Sequence, residues 1–280
     1  MAQITAAQVK TLRLQTGLPM MECKAALTEC DGDQEQAVEY LAKKHKGKME
    51  SRADRETGEG RLAVFIDEAK TTGAIIELRC ETTPVAKNEL FVTLADNIAL
   101  QVAQQDEAAP TPETIQAADS VSQPGKSVND LMVSAYGLLR ETMKLSACRK
   151  VTGQFLTHYI HHDGKSGVLI ALDAKPTDDS VALDLCHHAT FAQPTAIDRD
   201  GVSAEAVEKI RTRARELAQS EGKPEKIIER IVEGKVNAFY AEHVLMEQEH
   251  VKVSKTKVRE VLKSAGVNAV TDLVFLRVGG

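Results

Sequence analysis

GAIIELRCETTPVAKNELFVTLADNIALQV, residues 73–102, predicts a β-strand, a tight turn and an α-helix in that order. Its first part is aliphatic and rich in isoleucine, which favours a buried strand. Its last part carries apolar residues at intervals of three and four, the spacing of one buried helical face: Phe91, Leu94, Ala95, Ile98 and Val102. The stretch therefore predicts a strand-to-helix corner in a fold that mixes sheet and helix.

The residues of this corner, CETTPVAKN, indicate where the helix begins. The hydroxyl of Thr82 or of Thr83 can accept a hydrogen bond from a free N–H group of the first helical turn. Pro84 suits the first helical position, where a helix needs no N–H donor. We therefore expect the helix to begin near Val85 and the corner to be rigid.

A similar arrangement recurs later in the chain. Residues 153–159 and 167–172 predict a second hairpin, and residues 179–190 predict the helix that follows it. In the first copy, the predicted strands occupy residues 61–67 and 74–79. Two hairpin-plus-helix units predict an α+β protein with two similar core subdomains.

The N-terminal region predicts a compact module of three helices. Thr5 and Gln8 form a capping-box pattern, Gly17 ends the first helix, and Asp33 can cap the third. A module of this size has a small core, so we expect some of its exposed apolar residues to serve a partner.

Composition along the chain predicts the domain limits. We expect the three-helix module at 1–45, a mobile linker at 46–60, a first core subdomain at 61–150 and a second at 151–280. The linker segment is charged and lacks an apolar period. We interpret the lysines of this segment as solvated side chains, in preference to a nucleic-acid site, because acidic residues follow them closely.

Residues 204–243 contain two narrow apolar stripes separated by a break at Gly222 and Pro224. A narrow stripe flanked by arginine and glutamate is typical of two antiparallel helices packed against each other. We therefore expect a protruding helical hairpin, or coiled coil, followed by a helix at 254–265 and a strand at 270–278.

Composition also limits the class of protein. The chain has 280 residues, of which 42% are hydrophobic and 27% charged, which indicates an ordinary folded protein. A net charge of −6 and an aromatic content of 4% argue against direct nucleic-acid binding, which uses basic surfaces and stacking rings. No apolar run is as long as a signal peptide or membrane span, and the five cysteines form no CxxC pair. We expect a soluble, cytoplasmic protein without membrane contact.

The histidines and motifs give no catalytic or metal site. On a strand, His158 and His162 would face one way and His161 the other, and no carboxylate completes a ligand set. His187 and His188 are neighbours on a predicted helix and are read as structural or surface histidines. Nucleotide-binding and hydrolase motifs are absent from the sequence. We therefore expect a binding protein with no metal, cofactor or covalent chemistry.

Three stretches together resemble the bacterial elongation factor Ts family. QTGLPMMECKAALTECDGDQEQAVEYL, residues 15–41, is similar to the opening domain of that family, and CETTPVAKN, residues 80–88, to its second signature. EGKPEKIIERIVEGKVNAF, residues 221–239, resembles its helical-hairpin segment. The order of the three matches and the expected domain plan make the resemblance specific.

This resemblance implies a UBA-like N-terminal module and a guanine-nucleotide exchange factor. Such a protein binds elongation factor Tu, in its GDP-bound and nucleotide-free forms, and promotes GDP release during translation elongation. The implied partner-binding residues are Arg13, Met20, Met21, Lys24, Thr82, Thr83, Pro84, Val85 and His188. One of the two methionines is also expected to belong to the core of the module.

The chain departs from the second signature of the family at one place. The family pattern reads Thr-Asp-Phe-Val-Ala, whereas residues 82–86 read Thr-Thr-Pro-Val-Ala. In the family, the phenylalanine is a wedge inserted into the G domain of elongation factor Tu, and Pro84 has no such ring. This departure motivates one alternative, a degenerate paralogue that binds a GTPase without efficient exchange. A further alternative, which requires the family match to be accidental, is a helical-hairpin scaffold without a GTPase partner.

Overall fold

A computed structural model describes residues 4–280 of the chain; the first residues of the expected module, 1–3, lie outside the described residues. Three helices come first, namely α1 (Ala6–Thr16), α2 (Met20–Glu29) and α3 (Gln34–Glu50). The capping box of α1 is present, with the Gln8 N–H donating to Thr5 Oγ1 at 3.3 Å. The helices enclose a small apolar cluster: Val9, Leu12, Leu18, Cys23, Ala26, Leu27, Ala37 and Leu41.

The prediction of a mobile linker at 46–60 is wrong in its first part, because α3 continues to Glu50. Most residues of its last turns are good helix formers, and Met49 packs against the core of the first subdomain. The following residues are also attached. Arg55 Nη1 donates to Glu81 Oε2 at 3.0 Å, and Arg79 Nε donates to the Thr57 carbonyl at 2.5 Å. The segment that joins the module to the first subdomain is therefore held against that subdomain.

The first sheet has three antiparallel strands in the order β1 (Glu59–Ile66), β2 (Thr72–Cys80) and β3 (Lys144–Thr152). Sequence reasoning missed β3, because the strand carries charged residues and its buried residues, Leu145, Cys148 and Val151, lie three apart instead of alternating. Since β3 ends at Thr152, the first sheet extends past the expected subdomain limit at residue 150.

Four helices lie between β2 and β3: α4 (Thr83–Ala86), α5 (Glu89–Ala103), α6 (Pro112–Ala117) and α7 (Val128–Leu139). The single helix expected from Val85 is therefore two helices. The side chain of Asn88 accepts a hydrogen bond from Leu90 N at 2.9 Å and caps α5. An asparagine cap within the apolar period begins a new helix, which the period alone does not reveal.

The second sheet has the same strand order as the first: β4 (Phe155–Ile160), β5 (Ser166–Leu172) and β6 (Val270–Arg277), all antiparallel. The expected strand near the C-terminus is thus the third strand of this sheet. Its helices include α8 (Asp179–Ala192) and, after a helical hairpin, α11 (Val258–Ser264). Both core subdomains therefore consist of a hairpin, intervening helices and a returning strand.

The two sheets pack against each other. Helices α5 and α7 cover the outer face of the first sheet, whereas α8 and α11 cover the second. Between the sheets lies an inter-sheet cluster of buried residues: Ile75, Val151, Leu156, Leu169 and Ala171. A Cβ atom at Gly73 would lie 2.7 Å from the Phe65 carbonyl oxygen and 3.0 Å from Leu156 Cδ2, so this close approach requires glycine.

The helical hairpin consists of α9 (Ala204–Ser220) and α10 (Glu225–His243). Arg211 pairs with Glu233 at 3.3 Å and Arg215 with Glu229 at 2.9 Å, so the helices run antiparallel. Small and branched side chains fill the space between them: Ala214, Ala218, Ile228 and Val232. The coiled-coil description of this hairpin and the UBA-like description of the module remain predictions.

Below the hairpin, a buried carboxylate joins several segments. Glu247 is 4% exposed and pairs with Arg199 Nε at 3.0 Å, Lys257 Nζ at 2.7 Å and Arg259 Nη2 at 2.6 Å. Burial alone would raise its pKa, but the hydrogen bonds from Lys257 and Arg199 and the charge of Arg259 outweigh burial and lower the pKa to about 2. The carboxylate therefore stabilises the fold in its charged form.

We expect Glu247→Gln to lower the free energy of unfolding by about 1–2 kcal/mol at neutral pH, a modest loss because its basic partners are half-exposed. The folded-state pKa lies below the ordinary value of 4.5, so this contribution is complete above pH 4.5 and disappears as the pH falls toward 2. Urea unfolding of both proteins over this range measures the difference. Glu242→Gln, at a side chain 78% exposed, is the control. A difference that does not shrink in acid would contradict this account.

Within residues 4–280, the helices include none with both the length and the apolar character needed to cross a bilayer.

Candidate partner interface

The junction of α1 and α2 presents a mostly apolar surface to solvent. Met20 is 51%, Met21 75% and Leu14 77% exposed, and Arg13 and Lys24 are also exposed. We call these five residues the module face. Exposed apolar side chains with basic neighbours are typical of a protein–protein contact.

The module face corrects one expectation and adds a residue. Neither methionine belongs to the core of the module, because Cys23, Ala26 and Leu27 occupy the inward positions of α2. Leu14 was not predicted. It lies outside the buried stripe of α1. A leucine outside the apolar stripe of a small helical module is the sequence feature that could have identified it as a contact residue.

Glu22 of α2 attaches the module to the first core subdomain. Glu22 Oε1 lies 2.7 Å from His45 Nε2, and Glu22 Oε2 contacts the guanidinium of Arg140. Burial would raise the pKa of Glu22, but the hydrogen bonds from His45 and Arg140 prevail and lower it. Glu22 is therefore charged at neutral pH, and it attaches α2, which also carries the exposed Met20 and Met21, to the subdomain.

Arg140 belongs to a short segment that also holds the corner. This segment, residues 140–142, is called the bridging turn. The carboxylate of Glu141 accepts hydrogen bonds from Thr82 N at 3.0 Å and Thr82 Oγ1 at 2.6 Å. Thr142 N donates to Glu81 Oε1 at 2.8 Å. Three consecutive residues thus connect α2 of the module with the start of the corner.

The corner differs in detail from its prediction. Thr82 occupies the N-cap position of α4, but its hydroxyl bonds to Glu141 and makes no capping bond. Thr83 begins α4, so Pro84 is its second residue instead of its first. Val85 is half-buried and packs against the core of the first subdomain. The exposed Pro84 is therefore the ring that the corner presents to solvent.

His188 lies apart from these residues, inside the second subdomain. It is 1% exposed, its Nε2 lies 2.8 Å from Gln248 Oε1, and its Nδ1 accepts from Val251 N at 3.3 Å. Burial disfavours the charged imidazole and lowers its pKa. As a buried side chain, His188 acts only through the segment that it holds, residues 248–251.

In the part of the chain that the structure describes, no group of three or more His, Cys, Asp or Glu side chains is arranged to hold a metal ion. The features that stand out are instead surfaces: the module face, the corner and the helical hairpin, supported by two packed sheets. Separated exposed surfaces on a packed body are typical of proteins that bind a large partner.

Comparison with known proteins gives the family. Residues 81–280 match the family described as Elongation factor TS. The protein named Elongation factor Ts from Aquifex aeolicus is 39% identical over 267 residues, which cover 93% of this chain and 92% of that protein. Its namesake from Chlorobaculum tepidum is 39% identical, with coverage of 94% and 92%. The one from Clostridium botulinum is 36% identical over 275 residues, with coverage of 96% and 89%.

The chain therefore belongs to the elongation factor Ts family, whose members are translation elongation factors of protein biosynthesis.

Proposed function

We propose that this protein is a guanine-nucleotide exchange factor that binds elongation factor Tu and promotes GDP release during translation elongation. The bridging turn carries this proposal, because it keeps the module face and the corner in one fixed arrangement. Family membership supplies the partner. We place the activity in the cytoplasm, with no covalent step on this chain.

Exchange of this kind follows from linkage between two binding events. A protein that binds the nucleotide-free GTPase more tightly than the GDP-bound form must weaken GDP binding by the same factor. Moving nucleotide occupancy from 99:1 to 1:99 takes about 5.5 kcal/mol. Contacts at separated regions, as at the module face and the corner, can together supply such a difference.

Stopped-flow release of a fluorescent GDP analogue from the matching elongation factor Tu tests the proposal. We expect release to accelerate in proportion to the concentration of this protein until binding saturates. Binding without faster release would instead support the paralogue that lacks efficient exchange. Absence of both binding and acceleration would contradict a role on this GTPase.

Replacing two side chains of the module face tests its part in binding. We expect Arg13→Ala with Met21→Ala to weaken the complex with elongation factor Tu about tenfold, equivalent to about 1.4 kcal/mol. The thermal unfolding temperature should stay unchanged, because both side chains are exposed. Calorimetric titration measures the affinity.

Lys43→Ala provides the matched control, since this side chain is 82% exposed on α3. It should leave the affinity at the parent value. A double variant that binds as tightly as the parent would remove the module face from the proposed interface.

A further inference from the structure

Two histidines lie side by side inside the second core subdomain. His188 of α8 is 1% exposed, and His250, in the segment after the helical hairpin, is 4% exposed. Their rings are stacked, with centroids 5.6 Å apart and planes 12° from parallel. A proton taken up by either ring would therefore place a charge in a buried site beside a second titratable group.

The hydrogen bonds around His188 fix which ring nitrogen carries the proton. The Glu242 carbonyl can only accept, so the side-chain N–H of Gln248 faces it at 2.7 Å. The side-chain oxygen of Gln248 then lies 2.8 Å from His188 Nε2, so this nitrogen is the donor. Nδ1 accepts from Val251 N at 3.3 Å. All three bonds form together only when the ring is neutral.

His250 is restricted in the same way. Its Nδ1 accepts from Lys252 N at 3.2 Å, so the ring proton lies on Nε2. That Nε2 is buried and has no hydrogen-bond partner within residues 4–280. A second proton can enter the ring only at Nδ1, where it would face the Lys252 N–H and break the bond. Each imidazole thus holds one backbone N–H of the same segment.

The environment of the pair favours neutral rings. Burial is the largest influence, and it lowers the pKa of both histidines. At His188, the hydrogen bond to Gln248 raises the pKa and the neighbouring His250 lowers it. At His250, the charge of Asp184 raises the pKa and that of Lys252 lowers it. Asp184 and Lys252 also pair with each other, so their opposing effects on the ring largely cancel.

Other titratable side chains of the packed elements are directed to other groups or to solvent. His187 of α8 packs against the ring of Tyr159, with centroids 4.5 Å apart. At the end of α10, the side chain of Glu242 is 78% exposed. In the segment itself, the carboxylate of Glu249 accepts a hydrogen bond from Lys255 N. The net effect on the pair is therefore that of burial.

The base of the segment is held independently of the two histidines. Glu247 pairs with Lys257 at 2.7 Å and with Arg259 of α11 at 2.6 Å. Its pKa of about 2 keeps Glu247 charged over the pH range in which histidines titrate. Residues 249–256, which we call the 249–256 loop, can therefore open while their base stays attached.

We propose that His188 and His250 form an acid-sensitive latch, which releases the 249–256 loop from α8 when the rings take up protons. A proton on Nδ1 removes the acceptor of a backbone N–H, and protons on both rings place like charges side by side. The loop carries Val251 and Val253, which are 46% and 42% exposed. The latch thus controls the shape of an apolar part of the surface.

Acid favours the open loop. The closed form holds both rings below the ordinary pKa of 6.5, so the open form binds more protons below that pH. The closed form is therefore fully favoured above pH 6.5 and loses stability as the pH falls below it. From about pH 7.5 to about pH 5.5, the open population should rise about tenfold for each histidine released, or about a hundredfold for both.

Amide hydrogen exchange of the full-length protein, followed by NMR, measures the opening. Protection of Val251 N and Lys252 N, corrected for the intrinsic exchange rate, should fall by these factors. Both amides should stay less protected than Ile170 in the buried strand β5, because the loop opens without global unfolding. Nitrogen NMR of the imidazoles at neutral pH should show both rings protonated at Nε2.

His188→Asn with His250→Asn tests the latch, because an amide oxygen can replace each Nδ1 acceptor and takes up no proton in this range. The acid response of the double variant should shrink to about threefold or less. If circular dichroism shows that the double variant is unfolded, His250→Asn alone should keep a response of about tenfold. His162→Asn, at an exposed histidine, is the matched control and should respond like the parent.

Four results would overturn the inference. Three are loop protection that does not change with pH, a proton on Nδ1 of either ring at neutral pH, and an acid response that the asparagine substitutions leave intact. The fourth is loop protection equal to that of Ile170, which would assign the opening to global unfolding. These measurements use the protein alone, so their outcome is independent of nucleotide exchange.

Discussion

Pro84→Phe is expected to accelerate GDP release from elongation factor Tu between tenfold and about a hundredfold over the parent protein, if the wedge of the family applies here. Pro84 is exposed at the second position of α4, so a ring at this position points away from the core of this protein. Burying a phenylalanine in the partner is worth up to about 3 kcal/mol, and 1.4 kcal/mol corresponds to a factor of ten. The new N–H group lies in the first helical turn, which has no helical acceptor in any case.

The single substitution is preferable to Thr83→Asp with Pro84→Phe as a first test. The side chain of Thr83 lies beside Glu59, which pairs with Lys165 at 2.7 Å. An aspartate at position 83 would place a second carboxylate beside Glu59, although it would suit the helix N-terminus. We expect the double variant to exceed the parent but not the single variant.

Pro84→Ala is the control, since it removes the proline without adding an aromatic ring, and it should not accelerate release. Stopped-flow measurements at a saturating concentration of exchange factor give the GDP-release rates of the parent, the single variant Pro84→Phe, the double variant and Pro84→Ala. A Pro84→Phe variant that is folded and bound, yet slower than the parent, would mean that the partner surface is matched to this corner. The wedge mechanism would then not apply here.

Gly137→Ala is expected to weaken binding of elongation factor Tu about a hundredfold. A Cβ atom at this position of α7 would lie 2.5 Å from Nδ1 and 2.9 Å from Cε1 of His45. That ring is 3% exposed and is held by Glu22, so it can move only if α2 and α3 move with it. Displacing the module misplaces its whole face relative to the corner, which costs the contacts of several side chains together.

Gly47→Ala is the matched control, because it makes the same substitution inside α3 where nothing lies within 4 Å. Alanine is the better helix former by about 1 kcal/mol, so Gly47→Ala should leave binding unchanged and stabilise slightly. Titration measures affinity, and the distance between spin labels on α2 and α5 reports the position of the module. Unchanged affinity and distance in Gly137→Ala would show that the module does not depend on this contact.

Much of the architecture was predictable because it depends on local patterns. Alternating and helical periodicities indicated both hairpins, α8, the paired helices at 204–243 and the final strand. The errors arose where tertiary contacts override a local signal. Met49 draws the end of α3 onto the first subdomain, and β3 is stabilised by its pairing with β2 despite its many charges.

The arrangement of the interface was not predictable in the same way. Arg140 and Glu22 are 118 residues apart, and Thr82 and Glu141 are 59 apart. The sequence around each of these four residues gives no indication of its partner. Family resemblance indicated the exposed residues of the module and the corner, but only the folded chain reveals the bridging turn that relates them.

The inter-sheet cluster has a mechanical consequence. Two sheets that share an apolar layer cannot slide or open without exposing that layer to water. The body of the protein is therefore stiff across both subdomains. In the proposed complex, we therefore expect the arrangement of the two sheets to change little.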